Sequence, residues 1–252
     1  MVINVFENSR LLARHAAQQA AELINAAIEK KGRAVFIAAT GASQFEFLEF
    51  LTTEQKVDWS KTTMFHLDEY VGLPETHKAS FRKYLKERFI AKTNPGTVHL
   101  INGDAASPGK EAERLNALIS REEVDVAFVG VGENGHLAFN DPPADFETET
   151  PFLILELDER CRRQQVNEGW FDTLDQVPGR AVSMSVKEIL RASHIICCVP
   201  GERKAEAVKN CFNSDIISPD FPSSILKKHK NASVYLDKAS AFLLNPSRYK
   251  VI

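Results

Sequence analysis

The stretch GVGENGHLAFNDPP, residues 130–143, gathers a histidine, two asparagines and an aspartate within a few positions. A histidine set among such neighbours, here His136 beside Asn134, Asn140 and Asp141, is a candidate general acid/base, because adjacent groups fix its tautomer. The same stretch opens Gly-x-Gly-x-x-Gly, the pattern of dinucleotide-binding turns. That reading requires a helix to begin within the glycines, so that its N-terminus meets pyrophosphate. Pro142 and Pro143 follow too soon for a long crossover helix, and the pattern comes after a mid-chain strand rather than the first. The dinucleotide reading fails, and an acid/base loop remains.

Two further stretches end apolar runs. In FHLDEYVGL, residues 65–73, Asp68 and Glu69 are adjacent carboxylates. If the strand continues through them they point to opposite sides, so at most one faces a site. Asp68 is a candidate base, and Glu69 is as readily a solvated strand-end charge or a helix cap. In AATGAS, residues 38–43, small residues allow a ligand to approach the backbone. The N–H groups and hydroxyls that start the next helix favour a phosphate; a plain tight turn with Ser43 as N-cap is the competing reading. No Gly-x-Ser-x-Gly nucleophile elbow and no Gly-Lys-Ser/Thr phosphate loop occurs. His136 and Asp141 could ligate a metal, but His66 and His99 fall in separate strands and no Cys/His cluster completes a set, so none is expected.

The elements that must position these residues follow from periodicity. Apolar, β-branched runs at 2–6, 34–39, 62–67, 98–101, 124–131, 152–157, 181–186, 194–199 and 233–236 alternate with helical segments. The clearest helices are 9–31, 43–51, 79–89, 110–122 and 203–211. This alternation predicts an α/β fold, a mainly parallel central sheet with helices on both faces. In such sheets ligands bind beyond the carboxyl ends of the strands, where all three stretches lie.

With 252 residues, 44% hydrophobic and 26% charged, one domain spanning 1–252 is expected. A formal charge of -3 argues against a nucleic-acid surface, and an anionic ligand would need a local basic site. The N-terminus lacks the long uncharged core of a signal peptide, and no apolar run reaches membrane-spanning length. Cys161, Cys197, Cys198 and Cys211 form no framework, so reduced thiols in a cytoplasmic protein are expected.

Taken together, LDEYVGL at 67–73, GVGENGHLAFNDP at 130–142, DQVPGRAVSM at 175–184 and GERKAEAV at 201–208 resemble the glucosamine-6-phosphate deaminase family. Its members share a modified Rossmann-like fold with 6-phosphogluconolactonases. The glycine pattern alone is common to both; LDEYVGL followed by HLAFN looks like the deaminase branch. The resemblance implies a hydrolase/isomerase of amino-sugar (N-acetylglucosamine) catabolism that converts glucosamine-6-phosphate, or a close hexosamine phosphate, and water to fructose-6-phosphate and ammonia without a cofactor. It assigns phosphate to Thr40, Gly41, Ala42, Ser43 and Lys204, proton shuttling at ring opening to His136 with Asn134 and Asp141 in support, and C2-to-C1 proton transfer to Asp68. Alternatives are a 6-phosphogluconolactonase-like hydrolase and a non-catalytic sugar-phosphate sensor. A homo-oligomer is expected.

The chain departs from the family pattern in several places. Asn134 stands where many members have Asp, Asp141 where they usually have Glu, and Ala42 where a second glycine is common. Bacterial deaminases often carry a phosphate-binding arginine where Gly169 aligns; Arg160, Arg162 and Arg163 are the nearest substitutes. No Lys or Arg occurs between Asp141 and Glu159, where regulated members place basic residues for an effector, so activation by N-acetylglucosamine-6-phosphate is expected to be absent.

Overall fold

A computed structural model describes all of residues 1–252. Eight parallel strands form one sheet: β1 (Val2–Phe6), β2 (Ala34–Ala38), β3 (Thr62–His66), β5 (Thr97–His99), β6 (Val126–Val129), β9 (His194–Val199), β10 (Ala232–Asp237) and the short β11 (Lys250–Val251). Their spatial order is β11-β1-β10-β9-β6-β2-β3-β5. The inner strands are buried throughout, as AVFIA of β2 and VAFV of β6 show, because helices cover both faces.

Strand alternation sorts the core into two halves. Val35 and Ile37 of β2 face one half with α5 (Pro108–Ile119) and α8 (Ala205–Phe212). Phe36 and Ala38 face the other, with α1 (Ser9–Lys31) and α2 (Phe45–Thr53). The ends of α1 fall where its chemistry dictates. Asn8 Oδ1 accepts from the Leu11 N–H at 3.0 Å, and Gly32 adopts φ 77° and returns its N–H to the Ile28 carbonyl. A cap such as Asn8 contributes about 1 kcal/mol.

The main departure from the expected pattern begins after β3. Leu67 still donates to the Ala38 carbonyl, at 3.1 Å, but its own carbonyl accepts from Met184 at 3.0 Å, and the chain passes into a second sheet. That sheet is antiparallel, ordered β4-β8-β7, with β4 at Asp68–Tyr70, β7 at Phe152–Glu156 and β8 at Arg180–Met184. The apolar runs at 152–157 and 181–186 therefore do not join the parallel sheet. In β7 only Phe152 is buried, and from Leu153 to Glu156 half-buried and exposed residues alternate, as in a strand with one open face.

Beside the second sheet Tyr70, Phe81, Phe139 and Phe171 form an aromatic cluster. It is flanked by α3 (Phe81–Leu85), which continues through a π-helical turn (Lys86–Ile90) into the short α4 (Ala91–Thr93). The remaining helices are α6 (Glu159–Asn167) and α7 (Val186–Leu190).

Candidate active site

The carboxyl ends of β9, β6, β2 and β3 meet around a cleft of about 580 Å³. Two of these ends are built alike. After β2, Gly41 takes φ 93° and leads through a tight turn, Ala42–Gln44, into α2; after β9, Gly201 takes φ 93° and leads through Glu202–Lys204 into α8. Only glycine adopts that φ without strain, so each strand is turned directly into a helix N-terminus. β6 lies between β2 and β9, so its loop emerges between two such turns, a natural setting for an anion.

Thr40, Gly41, Ala42, Ser43, Asp68, His136 and Lys204 all line this cleft. The Thr40 hydroxyl is buried without a hydrogen-bond partner, while Ser43 Oγ accepts from Gln44 Nε2 at 3.1 Å. Burial pushes the Lys204 ammonium below the ordinary lysine range, and the nearby carboxylates of Glu168 and Glu133 oppose that shift.

Asp68 and Glu69 diverge as strand geometry requires. Asp68 faces the cleft at 6% exposure. Burial, and then the charge of Glu69, push it up to about 8, with no hydrogen bond to hold it down. Glu69 is neither solvated nor in the cleft. It is fully buried, accepts from Tyr70 N at 2.9 Å, Ser80 Oγ at 3.0 Å and Arg82 N at 2.8 Å, and lies 3.8 Å from Arg82 Nε. Burial raises this carboxyl and the hydrogen bonds oppose the rise. Glu69 thus fastens the N-terminus of α3 to the strand that carries Asp68.

The His136 side is closely tied. Nδ1 of His136 lies 2.8 Å from Asp141 Oδ1, and Asp141 Oδ2 accepts from Asp158 N at 2.9 Å. His136, Asn134 and this last bond hold Asp141 below the usual carboxylate range although burial pushes the other way. Asn134 does not touch the imidazole. Its Nδ2 donates to Asp141 Oδ1 at 2.8 Å and Asp158 Oδ2 at 3.0 Å, while its Oδ1 accepts from His136 N at 3.1 Å. Asn134 and Asp141 therefore stand behind His136, outside the residues that line the cleft. The one-methylene shortening at Asp141 still reaches the histidine.

The glycines of 130–135 serve this packing. A Cβ on Gly132 would stand 2.2 Å from His136 Nε2, so the position must lack a side chain for the ring to sit where it does. Asn140 pins the far side of the loop by donating to the carbonyls of Leu137 at 2.7 Å and Met184 at 2.8 Å. Between them Ala138 takes φ 52°, an uncommon conformation for alanine, at the rim of the cleft.

Several expectations are corrected. None of Arg160, Arg162 and Arg163 lines the cleft. Arg162 donates to the Leu174 and Val177 carbonyls, Arg163 pairs with Glu159, and Arg160 reaches the Glu133 carbonyl. Lys204 is the single lysine or arginine there. The wall that the sequence did not reveal comprises Gln164, Gln165 and Glu168, with Phe81 and Phe139 opposite. Gln164 Nε2 donates to Glu168 Oε1 at 2.7 Å, and Trp170 Nε1 to Glu168 Oε2 at 3.1 Å. Two buried glutamines four and three positions before a carboxylate on one helix are the only local signal. The fold also brings Cys161 together with His136 and Asp141, a grouping that spacing along the chain did not show.

A parallel sheet thus carries a polar cleft at its strand ends, with two helix-leading turns and a histidine–carboxylate pair. The family model described as glucosamine-6-phosphate isomerases/6-phosphogluconolactonase matches residues 7–235, and the chain belongs to that family. Within it, the chain is 33% identical to a glucosamine-6-phosphate deaminase of Oenococcus oeni, over 91% of this chain and 94% of that protein. It is 35% identical to one of Clostridioides difficile, over 94% and 95%. A solved monomeric glucosamine-6-phosphate deaminase superposes with TM-score 0.87 at 28% identity, over 96% of this chain and all of that one. The 6-phosphogluconolactonase of Trypanosoma brucei, at 17% identity and TM-score 0.80 over 97% and 98%, shares the fold.

Proposed function

We propose that the protein is a glucosamine-6-phosphate deaminase, which isomerises an amino-aldose phosphate and releases ammonia. The observation that carries this reading is Asp68, a nearly buried carboxyl without a hydrogen-bond partner, raised to about 8 and facing the same cleft as His136. A group of that kind can both take and return a proton near neutrality.

The steps follow from the substrate. The Thr40–Ser43 turn and Lys204 hold the phosphate and so fix the sugar along the cleft. His136, its Nδ1 anchored on Asp141, takes the anomeric hydroxyl proton through Nε2 and delivers one to the ring oxygen, which opens the ring. Asp68 removes the C2 proton and returns it to C1, leaving an imine at C2. Water adds there and ammonia leaves, giving the ketose phosphate. The overall change is an isomerisation coupled to loss of ammonia rather than a simple hydrolysis. Each positioned acid or base contributes roughly 10²- to 10⁴-fold. We assign contact with the sugar hydroxyls and amine to the wall of Gln164, Gln165 and Glu168, which lines the same cleft.

The test is release of ammonia and fructose-6-phosphate from glucosamine-6-phosphate, with Asp68→Asn as the comparison. Solvent deuterium incorporated at C1 of the product separates this chemistry from lactone hydrolysis, which needs no C2 proton transfer. Sugar-phosphate binding without turnover of any hexosamine phosphate would overturn the assignment in favour of a sensor.

A further inference from the structure

We propose that His136, Asp141 and Cys161 form a binding site for a thiophilic divalent cation of the zinc type, and that filling it arrests His136. One ligand atom from each, a ring nitrogen, a carboxylate oxygen and a thiol sulfur, all lie within 4.8 Å of one another. Nitrogen, oxygen and sulfur donors are the set zinc takes, and three protein ligands leave its fourth tetrahedral position to water. At bond lengths of roughly 2.0 to 2.3 Å such donors stand about 3.3 to 3.8 Å apart, so the longer separations close while the 2.8 Å His136 Nδ1–Asp141 Oδ1 pair opens.

The surroundings support a cation independently of the three ligands. Asp141 also lines a second cavity, of about 800 Å³, together with Asp145, Glu156 and Asp158. Four carboxylates and no basic residue line it, so it concentrates cations beside Asp141. Outer contacts are already in place. Asn134 holds Asp141, and Cys161 N donates to Asp158 Oδ1 at 2.5 Å, fixing the first turn of α6. Cys197, Cys198 and Cys211 are buried elsewhere in the core and have no such partners.

Binding releases the Cys161 thiol proton to solvent. The proton that His136 shares with Asp141 moves to Nε2, so that Nδ1 ligates the ion, and no electrons are transferred. The Asp141–His136 hydrogen bond is thereby replaced by two metal bonds, and the imidazole can no longer relay protons. This inhibitory consequence rests on the catalytic reading of His136; the binding itself does not.

The experiment titrates the full chain with Co²⁺ alone, and in parallel follows ammonia release in zinc-buffered solution. The expected result is one equivalent of Co²⁺ with thiolate-to-cobalt charge-transfer absorption, displaced by Zn²⁺. Turnover should fall as zinc fills the site and return with chelator. Cys161→Ala should abolish the absorption, keep turnover, and raise the half-inhibiting zinc concentration at least roughly tenfold. Cys161→Ser, closer in shape, gives the same comparison if the alanine variant folds poorly. No charge-transfer band in the wild type, or equal zinc sensitivity with and without Cys161, overturns the site. A full band with undiminished turnover overturns the arrest of His136.

Discussion

Asp68 and Asp141 are aspartates of one site, placed in opposite environments. Asp68, at the sheet switch after β3, meets desolvation and the charge of Glu69 and nothing that favours its anion. Asp141 accepts from Asn134 and Asp158 and pairs with His136, and is held low although burial pushes it up. On the proposed mechanism, the difference separates the group that exchanges protons from the one that stays charged and orients a neighbour. Environments that push like groups apart in this way assign acid/base roles more firmly than residue type does.

The largest effect is expected from Asp68→Asn, which should lower turnover by roughly 10²- to 10⁴-fold. The same change should raise stability. In the folded chain Asp68 titrates at about 8 against an ordinary 3.8, so the proton it holds stabilises the fold below pH 3.8 and this contribution is lost as pH rises through about 8. Thermal melts should therefore show Asp68→Asn gaining on the wild type at pH 8 and little at pH 4. Equal melting differences at both values would break the contrast between the two aspartates. In the wild type, kcat/KM should climb with pH towards a plateau above about 8, the direction required of a base.

Gly132→Ala attacks the other side without altering any titratable group. The new Cβ, 2.2 Å from His136 Nε2, must displace the ring, and a loss of roughly 10²-fold in kcat is expected with the fold retained. Near-normal kcat would show that the His136 position is not what the reaction needs. Lys204→Met removes the only cation lining the cleft and should raise KM for the sugar phosphate by roughly ten- to a hundredfold, with a smaller change in kcat. An unchanged KM would move the phosphate elsewhere.

The smallest effect sharpens the comparison most. Asn134→Asp restores the residue common in the family but replaces a two-fold donor with an anion between the Asp141 and Asp158 carboxylates. It is expected to cost about 1 to 3 kcal/mol in denaturant unfolding. A gain in stability would mean that Asp141 is not held as an anion by its neighbours.

Much of this was legible in the chain. The 3.6-residue pattern and its caps gave α1 its observed limits, Ser9–Lys31, and continuous apolar runs marked the buried strands. Small residues and glycines at strand ends pointed to 38–43 and 130–143, because those signals depend only on near neighbours. Local signals could not reveal that the runs at 152–157 and 181–186 pair with Asp68–Tyr70, since antiparallel pairing is settled between segments far apart in sequence.

The sequence by itself therefore determined the parallel α/β layering and the strand-end loops, and singled out Asp68 and His136 as candidates, while Lys204 came only with the family resemblance. The tertiary structure alone decided which carboxyl is isolated and which is bonded. It showed that Gly132 makes room for a ring, that Asn134 serves Asp141, and that Cys161 and the Gln164–Glu168 wall adjoin the site. The physical reason is that desolvation and hydrogen bonding depend on what other elements bring within a few ångströms, and periodicity along one element carries no record of that.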